Sequence, residues 1–217
     1  MSASRPSSPL LPRVGESSMP DYDIGILGAF YNEMSNLDNF KSYRLCHLED
    51  RYSDSQIFAK KVGCIISFGT SRILSEQITS THLCVNLHGS MLPYTRGPNP
   101  GIWRWIMNEP HGASLHVMDR GIDSGPIIAQ TKIENPDSSS LRNSNVQTVE
   151  LGLALLNHHV DEIVASNFES CPQVGDFTYY SYADQKPFED LLRTHNKVVL
   201  EDLLALIRSR LRNSNSK

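Results

Sequence analysis

An asparagine and a histidine two residues apart are the side chains of this chain best placed to do chemistry. Asn86 and His88 lie in the short apolar run 83–88, and such neighbours in a β-strand point to the same face. Asp123 follows in a glycine-flanked turn. An amide can donate a hydrogen bond to a negative oxygen, an imidazole can accept a proton near neutral pH, and a carboxylate can orient that imidazole. The three residues therefore predict general-base catalysis that requires no metal and no covalent nucleophile.

Each of these residues also has a purely structural interpretation. A single histidine on a strand is more often a hydrogen-bonded core residue, and an asparagine or an aspartate can serve only a turn. Asn86 and His88, however, are followed by a proline- and glycine-containing loop that carries Arg96. This combination favours a functional site. Arg96 could contact an anionic substrate or fix the loop by pairing with a carboxylate.

The elements that position these residues follow an α/β pattern. Short apolar runs that alternate with helical stretches predict a Rossmann-like open, mainly parallel sheet with flanking helices. Asn86 and His88 then lie at the carboxyl end of a buried strand, where open α/β sheets bind ligands. The predicted strands are 23–27, 43–48, 62–69, 83–88, 113–118 and 125–132, and the predicted helices are 54–61, 72–78, 101–107, 146–165 and 198–211.

The chain divides into a disordered tail, a catalytic domain and a C-terminal helical extension. The tail covers residues 1–20, which are rich in Ser, Pro and Arg, the domain covers 21–165, and the extension covers 166–217. Residues 135–145 are predicted to be a loop. The last helix carries an apolar stripe that includes Leu203 and Ile207, and we expect this stripe to pair two copies as a homodimer. The alternative is that the helix folds back on its own sheet.

Composition limits the possible partners and the compartment. Twenty basic residues against 24 acidic ones give a net charge of -4, without the Lys/Arg cluster that nucleic-acid binding requires. The four cysteines are scattered, which is typical of reduced thiols in a cytoplasmic protein. No apolar run approaches the ~18 residues of a membrane span, and the first residues lack the apolar core of a signal peptide. We therefore expect a cytoplasmic protein that binds neither nucleic acid nor membrane.

Several of these motifs together resemble the folate-dependent formyltransferase family. The strand Asn86-Leu87-His88 is followed by Ser90-Met91-Leu92-Pro93, and Asp123 lies in the turn Gly121-Ile122-Asp123-Ser124-Gly125-Pro126. Arg72-Ile73-Leu74 matches a strand-turn motif of the family, and His116 matches a further histidine beside its catalytic site. The resemblance covers residues 62–133 and implies the family fold, with 10-formyltetrahydrofolate as formyl donor.

The resemblance also implies roles for individual residues. Attack of an amine on a formyl carbon creates a negative oxygen and a positive nitrogen. Asn86 or a protonated His88 would stabilise the oxygen, and His88, oriented by Asp123, would act as base. Donor-binding residues are then Arg72, Ile73, Leu74, Met118, Asp119, Gly121 and Ile122; acceptor-binding residues are Ser90, Arg96 and Gly97; and His116 supports the catalytic residues.

The acceptor is predicted from three further segments. Residues 28–33 lack the phosphate-binding loop of glycinamide ribonucleotide transformylases, and the acidic composition differs from the basic C-terminal domain of tRNA enzymes. The run 96–103 resembles the RG-x-x-P-x-x-W sequence of small sugar N-formyltransferases, as does the aromatic run 177–182. We therefore expect a nucleotide-linked amino sugar as acceptor. The alternatives are another amine, amino acid or tRNA-linked, and a non-catalytic binding protein that retains the fold.

Two features bear on these alternatives. A scaffold would have no use for Asn86, His88 and Asp123 together, and the lack of GxGxxG after the first strand argues against an ordinary nucleotide-binding domain. The segment ahead of the Ile65 strand is shorter than is usual for the family, so a βα unit that encloses the folate or the acceptor is reduced or missing.

Overall fold

The computed structural model describes residues 19–195 and 197–214. The predicted tail over 1–20 therefore lies outside the described residues, apart from its last two positions. Six strands form one sheet, with the elements in the order of the chain as follows: β1 Tyr22–Leu27, β2 Leu45–Leu48, β3 Val62–Ser67, β4 Leu83–His88, β5 Gly112–Val117 and β6 Ile127–Lys132.

The sheet is mainly parallel, as predicted. Its strand order is β2-β1-β3-β4-β5-β6; the first four of these strands are parallel, and β5 and β6 are antiparallel additions to the β4 edge. Ser67 at the end of β3 pairs in register with Asn86 of β4. Because parallel strands end at the same edge, the side chains beyond β3 and β4 share one ligand-binding face of the sheet.

The helices surround this sheet. They are α1 Tyr31–Ser35, α2 Asp54–Ala59, α3 Glu76–Thr81, α4 Pro100–Met107, α5 Leu141–Val164, α6 Tyr182–Gln185, α7 Glu189–Thr194 and α8 Leu200–Ser214, with 3-10 turns at Asn39–Ser42 and Lys186–Phe188. Helix α5 covers one face and packs closely: a Cβ on Gly152 would lie 3.2 Å from Leu87 and 3.3 Å from Ala113. A second apolar cluster, including Leu27, Ile65 and Cys84, fills the opposite face. No helix in the described part of the chain is long and apolar enough to cross a membrane.

Two predicted helices begin at the wrong residue by four positions or more. The helix expected over 72–78 begins only at Glu76, because the Ser75 hydroxyl caps it by accepting from the Ile78 N–H. The preceding residues form an irregular loop along the ligand-binding face. The loop expected over 135–145 ends at Ser140, whose side chain accepts from Asn143 N–H and starts α5. In both cases a serine N-cap, and not the apolar pattern, sets the boundary.

Part of the apolar stripe of α8 is covered within the chain. Leu203 and Ile207 are fully buried and belong to one cluster with Ile102 and Trp103 of α4 and with Phe188. Leu203 and Ile207 are therefore buried against their own chain, while Val199 and Leu206 are exposed, and the homodimer stays a prediction. The helix folds back on its own domain because α4, a helix of the predicted catalytic domain, presents a matching apolar surface.

Candidate active site

The three residues expected to do chemistry meet at one point of the sheet edge. Asn86 and His88 end β4, and Asp123 lies in the turn after β5 with a φ of 51°. The His88 Nδ1 atom is 3.5 Å from Asp123 Oδ2, and the Asn86 amide donates to Asp123 Oδ1 at 3.4 Å. β5 runs antiparallel to β4 with His116 opposite Asn86, so the turn that follows β5 begins beside Asn86. An amide, an imidazole and a carboxylate thus adjoin one another.

The hydrogen-bonding of His88 defines which ring nitrogen is free. Nε2 lies 2.9 Å from the Thr95 carbonyl, which can only accept, so this nitrogen carries the proton. Nδ1 then presents its lone pair toward Asp123. Burial lowers the pKa of His88 below its ordinary value, and the opposing effects of Asp123 and the Thr95 carbonyl do not reverse the shift. His88 is accordingly neutral at neutral pH, with Nδ1 able to accept a proton.

Asp123 is held in its ionised form. Burial alone would raise its pKa, but the neighbouring His88, His116 and the Gly97 N–H outweigh burial and hold the pKa well below its usual range. The Gly97 N–H donates to Oδ2 at 2.8 Å. A proton gained by His88 Nδ1 would therefore point at a fixed negative charge, which favours the imidazolium.

His116 connects Asn86 to this network. Its Nδ1 donates to the Val117 carbonyl at 3.0 Å, which leaves Nε2 to accept from the Asn86 amide at 3.2 Å. Both N–H groups of Asn86 are thus used inside the protein, one toward His116 and one toward Asp123. Both hydrogen bonds are long, so breaking one of them to let its N–H donate to a ligand oxygen costs little free energy. His116 is buried, in agreement with its expected supporting position.

A cavity of about 860 Å³ opens in front of the three residues. Its size is that of a typical ligand site, ~300–1,000 Å³. Ile73 and Ile122, which are 73% and 40% exposed, place apolar side chains at the opening of the cavity. The structure places in its wall all seven residues expected to bind the donor, namely Arg72, Ile73, Leu74, Met118, Asp119, Gly121 and Ile122.

Arg72 and Asp119 shape this wall through contacts with the protein. The Arg72 guanidinium pairs with Asp54 at 2.8 Å and donates to the Tyr52 carbonyl and to the Asp50 carbonyl. Asp119 Oδ1 accepts from the Gly121 N–H at 3.0 Å and from the Ser124 hydroxyl at 2.7 Å. Both side chains therefore hold loops, and ligand contacts from these loops can come from backbone and apolar groups.

The structure does not support two of the three residues expected to bind the acceptor. Ser90 is fully buried and donates to the Tyr94 carbonyl at 2.7 Å, so its hydroxyl closes the loop after β4. Arg96 donates to Gln173 Oε1 at 2.8 Å and lies over the Phe177 ring at 4.5 Å. Neither residue lines the cavity, whereas Gly97 does. Arg96 thus fixes the loop, although through an amide and a ring and not through a carboxylate.

Two functional residues escape sequence reasoning. Thr95, whose carbonyl fixes His88, has a φ of 57° and donates its hydroxyl to Glu109. A β-branched residue rarely adopts a positive φ, and nothing in the sequence indicates that Thr95 does so. Arg104 is fully buried beneath the cavity wall, and its position within the predicted helix 101–107 gives no indication of this burial.

Comparison with known proteins agrees with this geometry. A sequence model described as Formyl transferase matches residues 32–158, more than half of the chain. The methionyl-tRNA formyltransferase of Thermodesulfovibrio yellowstonii is 30% identical over 145 residues, which are 62% of this chain and 46% of that protein. That of Blochmanniella pennsylvanica is 33% identical over 156 residues, 66% of this chain and 46% of that protein. The chain thus spans less than half the length of these curated relatives.

Among solved structures, the formyltransferase PseJ from Anoxybacillus kamchatkensis superposes with a TM-score of 0.75 at 22% identity. The match covers 83% of this chain and 96% of that one, which was crystallised with UDP-4,6-dideoxy-4-formamido-L-AltNAc and tetrahydrofolate. A sugar N-formyltransferase from Shewanella sp. FDAARGOS_354 matches with a TM-score of 0.67 at 18% identity, covering 85% and 86%. At these identities the likeness shows a shared fold, and the sequence match shows the family. The chain belongs to the formyl transferase family.

Proposed function

We propose that this chain transfers a formyl group from 10-formyltetrahydrofolate to a primary amine, with His88 as the general base. The observation that carries the proposal is the meeting of Asn86, His88 and Asp123 at one wall of a single cavity. The other walls of this cavity contain the residues that the family resemblance assigns to the donor. Membership of the formyl transferase family supports the reaction class.

The cavity fits the donor in size and in chemistry. Leu74 and Met118 are apolar residues that can contact a flat pterin ring, and Ile73 and Ile122 can cover it at the mouth. Arg72 anchors the loop that carries Ile73 and Leu74. When bound, 10-formyltetrahydrofolate supplies the formyl carbon, whose bond to N10 breaks as the bond to the amine forms and N10 takes up a proton.

His88 can accept the proton that the amine loses. Its Nε2–H is held by the Thr95 carbonyl, so Nδ1 is the basic atom. After the transfer both nitrogens donate, Nε2 to Thr95 and Nδ1 to the ionised Asp123. The charge that forms on the ring is therefore matched by a carboxylate already in place, and little reorganisation is needed during the reaction.

Asn86 can orient the reacting groups. Its Nδ2 lies between His116 and Asp123, and the carbonyl oxygen of the same amide forms no hydrogen bond with any residue in the described ranges. That oxygen can accept from the attacking amine, and one turned N–H can donate to the formyl oxygen. The amide thus serves both partners of the reaction from one position.

We further propose a nucleotide-linked amino sugar as the acceptor. The sequence 96–103 supports this choice, as do two structural neighbours, one crystallised with a UDP-linked sugar and one named as a sugar N-formyltransferase. A second candidate acceptor is an aminoacyl-tRNA, because the curated relatives are methionyl-tRNA formyltransferases. The two acceptors differ in what they require of the protein: the phosphates of a tRNA need an extended basic surface, and the net charge of this chain is -4.

The full-length chain with 10-formyltetrahydrofolate and a set of amines tests the proposal. The set contains nucleotide-linked amino sugars, the free amino sugars, amino acids and methionyl-tRNA, and mass spectrometry detects the added formyl group. We expect formylation of a nucleotide-linked amino sugar that is lost in His88→Asn and retained in His158→Asn, a matched exposed histidine. Failure of the chain to bind a stable folate analogue in calorimetry would exclude the reaction.

A further inference from the structure

A second cavity continues from the catalytic one. It measures about 460 Å³ and lies between α4, α5 and the C-terminal helices. Four residues line both cavities: Asn99, Gly101, Asn145 and Tyr182. Direct transfer requires donor and acceptor to be bound side by side, so two adjoining spaces of ligand size match the reaction.

The two sides of the catalytic cavity differ in charge. The donor side contains Asp50 and Asp119, whereas the opposite side, formed by residues 97–101, 145–149 and 179–183, has no carboxylate among its described lining residues. Beneath this opposite side lies Arg104, which is fully buried. An amine acceptor that reaches His88 from this side therefore passes a wall with a positive charge behind it.

Arg104 has only neutral partners among the residues that the structure describes. Its guanidinium donates to the Gly89 carbonyl at 2.7 Å, to the Thr148 hydroxyl at 2.7 Å and to Ser144, and Nε has no partner. Burial lowers the pKa of Arg104 to about 10, so the group remains charged at neutral pH. A buried cation without a counter-charge favours a nearby anion strongly, because the low dielectric screens it little.

Polar groups without protein partners line the path into the second cavity. The side chains of Asn145, Tyr182 and Lys186 form no hydrogen bond or ion pair with any described residue. Arg193 also lines this cavity and pairs with Glu189 at 3.6 Å. The second cavity thus presents two cations against one carboxylate, with Ile102 and Leu192 as an apolar floor.

We propose that the second cavity binds an anionic tail of the acceptor, of the size and charge of a nucleoside diphosphate. The amine of the acceptor then lies at His88, its tail crosses Asn145 and Tyr182, and Lys186 binds the phosphates. This inference rests on the proposed function and adds the position and the charge of the acceptor tail. Volume favours a nucleotide over a lone phosphate, since a single ion would leave most of 460 Å³ unfilled.

Calorimetry with uridine diphosphate and uridine, a pair that differs only in the diphosphate group, tests the inference without turnover. We expect the full chain to bind the diphosphate ~10-fold or more tightly than uridine, as charge-assisted hydrogen bonds require. Lys186→Met and Asn145→Ala should weaken diphosphate binding ~3- to 10-fold and leave uridine binding unchanged. Lys132→Met, which removes an exposed lysine that lines neither cavity, is the matched control.

The outcomes separate this inference from the proposed function. Equal binding of both ligands, or wild-type diphosphate binding by Lys186→Met and Asn145→Ala together, overturns the subsite. Tetrahydrofolate titrated into the same samples reports on the donor site: loss of that binding alone refutes the proposed function. In turnover assays the two variants should raise KM for a nucleotide-linked amino sugar, with kcat and the KM for the donor unchanged.

Discussion

Around His88 the structure is held by polar contacts, whereas the C-terminal helices are held by apolar ones. Asn86 donates hydrogen bonds to His116 and to Asp123 at the end of β4. Helix α8 instead buries Leu203 and Ile207 against α4. A polar network fixes the orientation of the few atoms that share its hydrogen bonds. An apolar cluster mainly contributes free energy of folding. Changes in the first region should therefore abolish turnover in a folded protein, and changes in the second should unfold it.

The largest effect is expected from His88→Asn. The substitution removes the base and its hydrogen bond to the Thr95 carbonyl but leaves a smaller polar side chain in the same pocket, so the fold should be retained. Turnover should fall at least ~100-fold, in line with the loss of a general base. Steady-state kinetics and circular dichroism measure the two properties together. Near-normal turnover in a folded variant would remove His88 from the mechanism.

The apolar region is tested by placing a charge in it. Ile207→Glu should lower the free energy of unfolding by ~3 kcal/mol or more, since a buried side chain is lost and a carboxylate is desolvated. Leu206→Glu, one position earlier on the exposed face, should change it by less than ~0.5 kcal/mol. Urea denaturation measures both values.

The same pair of variants addresses the predicted homodimer. If Ile207→Glu halves the mass in light scattering while its unfolding free energy stays at the wild-type value, α8 is an intermolecular element and its packing on α4 is absent in solution. Equal stability losses in both variants would likewise contradict the burial pattern of this helix.

The two regions also differ in how much of them the sequence predicts. Asn86 and His88 could be placed together because their spacing of two is read directly on a strand, and the strand 83–88 has the predicted bounds. Asp123 could be added because of the family motif around it. The donor-binding residues could be predicted from the family resemblance. All seven of them line the cavity.

What remained hidden depends on contacts between distant segments. The stripe of α8 was visible in the sequence, but its partner on α4 is about a hundred residues away and has no local signal. The partners of Arg96, Gln173 and Phe177, are similarly remote. The sequence of one segment shows that its apolar face must be buried. It does not show which other segment buries that face.

The pH dependence of kcat/KM sharpens the account of the polar region. His88 must be neutral to accept a proton, and burial holds its pKa below 6.5. Once the separately measured ionisation of the amine substrate is divided out, the rate should therefore be constant above pH 6.5 and fall below the pKa of His88, tenfold per pH unit. Asp123 stays ionised throughout this range, since its pKa lies well below the usual value.

Titration of His88 by NMR checks this assignment. In Asp123→Asn the loss of the negative charge should lower the pKa of His88 further, because Asp123 raises it in the native protein. An acid limb above pH 6.5, or an unchanged titration in Asp123→Asn, would contradict the assigned pair.

The smallest effect is expected at Thr95, whose carbonyl accepts the hydrogen bond from His88. The Thr95 hydroxyl donates to Glu109 and its N–H donates to the Thr178 hydroxyl at 2.7 Å, so the carbonyl that holds His88 is itself held. Thr95→Val keeps the side-chain shape, removes the donor to Glu109 and leaves the strained backbone at this position without that support. The carbonyl should then hold Nε2–H less firmly, and a small misplacement of the ring should lower kcat ~3- to 10-fold with KM unchanged. Thr95→Ser retains the hydroxyl and should behave as the wild type.

Nitrogen-15 spectra of His88 supply a readout that a general loss of stability would not change. The fraction of the Nε2–H tautomer should fall in Thr95→Val and not in Thr95→Ser. If both variants show the wild-type tautomer while kcat differs, Thr95 acts on the fold of the loop and not on the imidazole.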